Sequence, residues 1–215
     1  MEAHRHWQTI YGSRSPEELS WYQPQAQVSL DLIRRVAPDT RASILDVGGG
    51  ASTLVDGLLA AGYRRLAVLD VSGLALDQSR RRLGAAASAV TWIEGDVLSA
   101  ALPVGGHDVW HDRAVFHFLT EPDQRRRYVE QVRRTVRPGG HVLVATFAED
   151  GPTRCSGLDV ARYSPETLHG EFGVDFRKLT SVREEHLTPR GARQAFVYCL
   201  CRVDPSHPPS GDRDA

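Results

Sequence analysis

Lysine is nearly absent from this 215-residue chain: Lys178 is the only one among 26 basic residues. Cysteine is scarce too, with three, and the net charge is −1. Each shortage excludes something. A near-neutral balance leaves no global basic field to draw the chain onto nucleic acid or an anionic membrane. The runs Arg80–Arg82, Arg125–Arg127 and Arg133–Arg134 read as solvated helix faces. Cys155, Cys199 and Cys201 offer neither a disulfide framework nor a zinc-ligand spacing. No apolar run has the length to cross a bilayer, and Met1–Trp7 lacks the core of a signal peptide. The expectation is a cytoplasmic protein with no nucleic-acid, membrane or metal partner; oligomeric state is not addressed.

What is present is alternation. A hydrophobic share of 41% over this length suits one domain with a full core. From residue 44, short apolar runs alternate with helical patterns, as in a parallel sheet with crossover helices. The pattern predicts strands over 43–48, 65–70, 90–94, 107–112 and 140–147. It predicts helices over about 52–62, 73–86 and 122–136. Gly62 and the run Arg137-Pro138-Gly139-Gly140 supply helix stops. Beyond a polar loop, Ser164-Pro165 opens a short helix to about Phe172. Alternating segments at 174–186 and 193–203, joined by Thr188-Pro189-Arg190-Gly191, form an antiparallel hairpin. The fold class is therefore α/β, a Rossmann-like seven-stranded sheet. It has five parallel strands, a C-terminal antiparallel hairpin and helices on both faces. One domain covers 1–203 and opens with a helical cap over 1–40; 204–215 reads as a disordered tail.

The chemistry begins at Ile44-Leu45-Asp46-Val47-Gly48-Gly49-Gly50-Ala51-Ser52. An apolar strand ends in an acid and three glycines, and a helix follows. Glycines let the backbone approach a ligand, and the helix start offers unpaired N–H groups. A second run, Leu66–Asp70, ends in an acid about twenty residues past Gly50, where a ribose-binding carboxylate is expected. A dinucleotide loop of the G-x-G-x-x-G type needs glycine where Thr53 stands. Asp46 would also repel a pyrophosphate, whereas it suits a ligand carrying an ammonium and a sulfonium, such as S-adenosylmethionine. An NAD(P)-dependent oxidoreductase is the alternative from another class. A binding module that keeps the pocket without catalysis is a third.

Asp46-Val47-Gly48-Gly49-Gly50-Ala51-Ser52 resembles the glycine-rich first motif of class I S-adenosylmethionine-dependent methyltransferases, with Ser52 in place of the last glycine. Leu69-Asp70-Val71-Ser72 is similar to the second motif and Glu94-Gly95-Asp96-Val97 to the third. Arg137-Pro138-Gly139-Gly140 matches the usual lead into strand five, so the resemblance runs in order from 43 to 147. It implies that Asp46, Gly48 and Gly50 hold the methionyl part of S-adenosylmethionine. Asp70 and Val71 would hold the ribose, and Asp96 with Val97 the adenine, leaving S-adenosylhomocysteine as product.

It also places the chemistry after strand four, at His111-Asp112-Arg113. Asp112 and Arg113 are expected at the pocket, with His111 and His117 as base or orienter. His111 and Asp112 are strand neighbours, so at most one of them lines the pocket. Trp21 and Tyr22 are expected to cover the site. Asp112-Arg113-Ala114, Gly151-Pro152 and the helix near Ser164 resemble thiopurine and small-thiol S-methyltransferases. The opening from His6-Trp7 to Trp21-Tyr22 resembles small protein-lysine methyltransferases. The expected acceptor is a small molecule, a thiol among the candidates, with protein lysine as the alternative.

Overall fold

The computed structural model describes residues 2–206. Its elements run α1 (Glu2–Ser13), a 3₁₀ turn (Pro16–Glu18), α2 (Gln27–Val36), β1 (Ser43–Val47), α3 (Leu54–Ala60), β2 (Arg65–Asp70), α4 (Gly73–Leu83) and β3 (Val90–Glu94). They continue with β4 (His107–Arg113), α5 (Pro122–Thr135), β5 (Val136–Phe147), a short ribbon of β6 (Arg154–Cys155) and β7 (Leu158–Asp159), α6 (Pro165–Phe172), β8 (Phe176–Leu187) and β9 (Arg193–Val203). The main sheet has the order β3-β2-β1-β4-β5-β9-β8. Strands β1 to β5 are parallel, and β9 runs antiparallel between β5 and β8. The order reverses between β1 and β4, which opens a crevice at the strands' carboxyl ends.

Both faces of the sheet are covered, which is why its central strands read as unbroken apolar runs. All five residues of β1 are buried. Alternate side chains go to opposite layers: Leu45 and Val47 join Tyr128 and Val132 of α5 and Phe172 of α6. Ile44 joins Ile33 of α2 and Leu54 and Leu58 of α3. Period two in the strand thus decides which helix each side chain meets.

Three boundaries differ from the sequence pattern. Helix α3 starts only at Leu54, because Ser52 and Thr53 remain in the glycine turn. Strand β5 begins at Val136, directly out of α5, and runs through the glycines that suggested a pure helix stop. Residues 137–140 stand opposite Asp108 alone, between the pairs His107↔Val136 and Val109↔His141. Pro138 has no N–H to give a ladder, and Gly139 adopts φ +76°, so the strand bulges there. Helix α2 is no cap: its Leu32 and Ile33 are buried in the sheet-covering layer. Only α1 and the stretch to about residue 26 overlie the crevice. Of the expected tail, Asp204 still bonds Asp175 through the backbone, and 207–215 lie outside the described residues.

A polar knot ties β4 to α5. Trp110 Nε1 donates to the Tyr128 hydroxyl at 2.8 Å, and that hydroxyl donates to Asp112 Oδ2 at 2.6 Å. All three side chains are fully buried. Tyr128→Phe would leave a buried indole N–H and a carboxylate oxygen each short of a partner. We expect it to lower unfolding free energy by about 1–3 kcal/mol, measured by urea denaturation, without altering the crevice.

Candidate functional site

Strand β1 delivers Asp46 to the carboxyl edge, and the chain turns at once through Gly48-Gly49-Gly50. Gly48 has φ +65°, and a Cβ there would land on Val115 Cγ2, so the position needs glycine on two counts. Gly49 lies over the Asp46 carboxylate and Gly50 over that of Asp70; a side chain at either would collide with a carboxylate oxygen. The turn is folded down onto two buried acids.

Asp46 pairs in register with His111 of β4. Its Oδ1 lies 2.7 Å from His111 Nδ1, while Oδ2 is buried without a hydrogen-bond partner. A buried unpaired carboxylate oxygen is costly, so this atom points to a ligand group. Asp70 accepts from Ser72 N at 2.8 Å and from the Gly50 and Val71 N–H groups. Burial nevertheless pushes its pKa up to about 7, and the nearby Asp46 adds to the rise. Asp96 is exposed, and its Oδ1 accepts from Leu98 N at 2.9 Å, which fixes the turn after β3.

These acids open on one cleft. A cavity of about 250 Å³ has Gly48, Asp70, Val71, Asp96 and Val97 on one wall. Trp7, Tyr11, Trp21, Arg113, Phe118 and Leu158 form the other. A contiguous recess of about 40 Å³ shares Tyr11, Trp21, Gly48 and Arg113 and reaches Asp46, Gly49, Tyr22 and His111. The cover is α1. Gln8 Oε1 accepts from Ser72 Oγ at 2.8 Å and from Leu74 N, and Gln78 holds the Tyr11 carbonyl. Trp7 meets Trp21 and Phe118 edge-on, with centroids 5.7 and 5.2 Å apart. The Tyr11 hydroxyl, hydrogen-bonded by Trp21, is raised above its ordinary pKa by burial and then by Asp70.

The structure therefore brings together Asp46, Gly48, Asp70, Val71, Asp96, Val97, His111, Arg113, Trp21 and Tyr22. Three expected residues fall outside the lining. Gly50 meets the cleft only through Asp70, whose carboxylate it accommodates. Asp112 points to the opposite face of the sheet, and its two oxygens accept from Val115 N, Phe116 N and Tyr128 Oη. It holds the turn after β4 rather than touching a substrate. His117 is buried between Phe118 and Phe147 with neither ring nitrogen paired, and burial takes its pKa down to about 3. His111 does line the recess, but both ring nitrogens are engaged, by Asp46 and by Ser29 Oγ at 2.8 Å. It has no free nitrogen for an incoming proton.

Arg113 is the one strand-four residue shared by both cavities. Its Nε donates to Tyr198 Oη at 3.0 Å and Nη1 to the Trp21 carbonyl at 3.1 Å. Nη2 lies 3.5 Å from Glu184 Oε2, and the guanidinium stacks 4.1 Å from the Phe196 ring centre. Next to it, Ala114 takes φ +74°, a strained conformation for alanine, where the chain leaves β4 along the cavity wall.

Ser29, Glu184 and Tyr198 were not found from the sequence. Ser29 had a signal: it shares the apolar face of α2 with Leu32 and Ile33, an odd place for an unpartnered hydroxyl. Glu184 and Tyr198 carry no local signal at all.

A methyltransferase-domain family model matches residues 44–140, the span holding the glycine turn, Asp46, Asp70, Asp96 and β4. Over this span the chain is similar to the class I S-adenosylmethionine-dependent methyltransferases. The ubiquinone/menaquinone biosynthesis C-methyltransferase UbiE of Roseobacter denitrificans is 30% identical over 117 residues, 53% of this chain and 46% of that protein. The chain thus spans about half the length of that curated relative. A solved structure described as conversion of a disulfide bond into a thioacetal group during echinomycin biosynthesis has a TM-score of 0.74 at 18% identity. It covers 95% of this chain and 93% of that one. The 1,6-didemethyltoxoflavin-N1-methyltransferase of Burkholderia thailandensis, with bound 1,6-didemethyltoxoflavin and S-adenosylhomocysteine, has a TM-score of 0.65 at 16% identity. It covers 94% and 84% of the two chains. At such identities the structural likeness speaks for the fold.

The comparisons favour a methyltransferase over the nicotinamide alternative, and so does the loop. Thr53, at the third position of a dinucleotide loop, donates its hydroxyl to the Gln23 carbonyl at 2.9 Å. Among the described residues, no helix is long and apolar enough to cross a membrane.

Burial lifts Asp70 to about 7 and Asp112 to about 6, above the value of about 3.9 for an unfolded aspartate. Their contribution to stability is therefore complete below about pH 4 and lost as pH rises through 6 to 7. In urea titrations of the ligand-free protein, Asp70→Asn should remove its share, flattening the decline between pH 4 and 7 by roughly 2–4 kcal/mol.

Proposed function

We propose that the chain transfers the methyl group of S-adenosylmethionine to a small-molecule acceptor, and that a thiol is the acceptor class the site suits best. One observation carries the reading: the acids at the carboxyl ends of β1 and β2 and just past β3 open on a single cleft, with the buried Oδ2 of Asp46 unpartnered at one end. Asp46 would take the cofactor's ammonium, Asp70 with Val71 its ribose hydroxyls, and Asp96 with Val97 its adenine. When bound, the cofactor supplies an activated methyl on a sulfonium.

The rest falls to the chain's own residues. Trp7, Tyr11, Trp21 and Phe118 exclude water from the cleft, and Arg113 is pinned at its far wall. Neither His111 nor Asp112 has an atom free to take the acceptor's proton. Alignment in a dry site then carries the catalysis. That favours a nucleophile that ionises readily: a thiol has a pKa of about 8.5, against about 10.4 for an amine. The relatives' names support a small acceptor. One is a C-methyltransferase of quinone biosynthesis, and the other holds 1,6-didemethyltoxoflavin.

Incubation with methyl-labelled cofactor and a panel of thiols, amines, carboxylates and proteins tests the acceptor. Label in a low-molecular-weight thiol is the expected result; label confined to protein lysine would overturn it. Calorimetry with S-adenosylhomocysteine tests the cofactor site. Wild-type affinity should strengthen as pH rises through about 7, because ionised Asp70 accepts from hydroxyl donors and the protonated form must first lose its proton. Asp70→Ala should weaken binding about 100-fold and abolish that pH dependence. Affinity unchanged in this variant would end the assignment.

A further inference from the structure

Ser29, His111 and Asp46 form a buried file from α2 through β4 to β1, none more than 3% exposed. Ser29 Oγ lies 2.8 Å from His111 Nε2, and His111 Nδ1 lies 2.7 Å from Asp46 Oδ1. An ionised carboxylate can only accept, so Nδ1 carries the hydrogen that Asp46 receives. In the neutral ring Nε2 is then an acceptor, and the Ser29 hydroxyl donates to it. The helix thus fixes the tautomer, and the tautomer fixes the carboxylate. With Oδ1 engaged, Oδ2 is left without a partner beneath Gly49, where a Cβ would collide with it.

Resting on the cofactor site proposed above, we propose that His111, locked by Ser29, is a positioning residue that turns Asp46 Oδ2 toward the cofactor's α-ammonium. The imidazole holds the carboxylate through Oδ1 and leaves Oδ2 for the ammonium. The order of Ser, His and Asp invites comparison with a nucleophilic triad, but Ser29 is fully buried and lines neither cavity. No substrate carbon can reach it.

The test compares two probes, S-adenosylhomocysteine and 5′-methylthioadenosine, which keeps the nucleoside and sulfur but lacks the amino-acid moiety. For His111→Leu, calorimetry should show S-adenosylhomocysteine bound about tenfold more weakly, the loss of one charge-assisted contact's alignment. Affinity for 5′-methylthioadenosine should stay within about twofold of wild type. His111→Asn, whose amide can still donate to Oδ1, should recover part of the loss. Should the leucine variant fail to fold, Ser29→Ala serves instead. It should selectively weaken S-adenosylhomocysteine and shift the ¹⁵N resonances of His111 away from the single-tautomer pattern. Equal loss of both probes, or no loss of either, overturns the positioning role. Failure of the wild-type protein to bind either probe would instead defeat the cofactor reading.

Discussion

Two carboxylates buried beneath one glycine turn are the constraint on which the rest of this structure depends. Asp46 and Asp70 are both buried, and the Asp46 charge raises the cost of ionising Asp70. Everything nearby answers that cost. Glycine at 49 and 50 lets the backbone descend to the oxygens. The N–H groups of Gly50, Val71 and Ser72 converge on Asp70, and His111 reaches Asp46 from the neighbouring strand. One oxygen of Asp46 is still left over. A site built this way has much to gain from a cation and from hydroxyl donors, because the aromatic cover keeps the local dielectric low.

The period of the strand decides which polar residue serves which layer. His111 and Asp112 are consecutive, so they face opposite helices. His111 faces α2 and finds Ser29; Asp112 faces α5 and finds Tyr128. The first belongs to the cleft, and the second holds the turn that brings Ala114 and Val115 round it. A one-residue slip of β4 would exchange these roles and place an imidazole in the Trp110 layer. The apolar packing of Val109 and Trp110 on opposite faces guards against that slip.

How much of this could be read from the chain follows from sequence distance. Strands β1 and β2 were legible because burial on both faces makes each a nearly continuous apolar run ending in an acid. Asp46, Asp70 and Asp96 were legible because each stands at a strand exit beside its own glycine or turn. Alternation announced that His111 and Asp112 part company but not which faces the cleft, since the identity of the facing helix is a tertiary fact. Ser29 meets His111 across 82 positions, and Tyr198 meets Arg113 across 85. No local pattern encodes such pairs. The bulge in β5 was hidden for another reason: proline and two glycines after a helix have the same appearance whether the chain stops there or merely kinks.

The wall opposite the acids raises an electrostatic question of its own. A guanidinium beside a cleft that is to receive a sulfonium would be repulsive unless balanced. Arg113 is balanced by Glu184, stacked on Phe196 and held by Tyr198, so its charge is compensated within the protein. The same cluster grips the covering segment: Arg113 holds the Trp21 carbonyl, Glu184 holds Gln23, and His186 holds the Ser20 carbonyl. The C-terminal hairpin therefore sets the position of Trp21 and Tyr22, although it contributes nothing to the glycine turn. On the function proposed here, the cleft divides into two halves of different origin. Strand exits β1 to β3 form the cofactor half; the N-terminal stretch, braced from behind by the β8–β9 hairpin, lines the acceptor half, and Arg113 joins them. Acceptor choice can then change through residues 7–23 while the buried acids stay as they are.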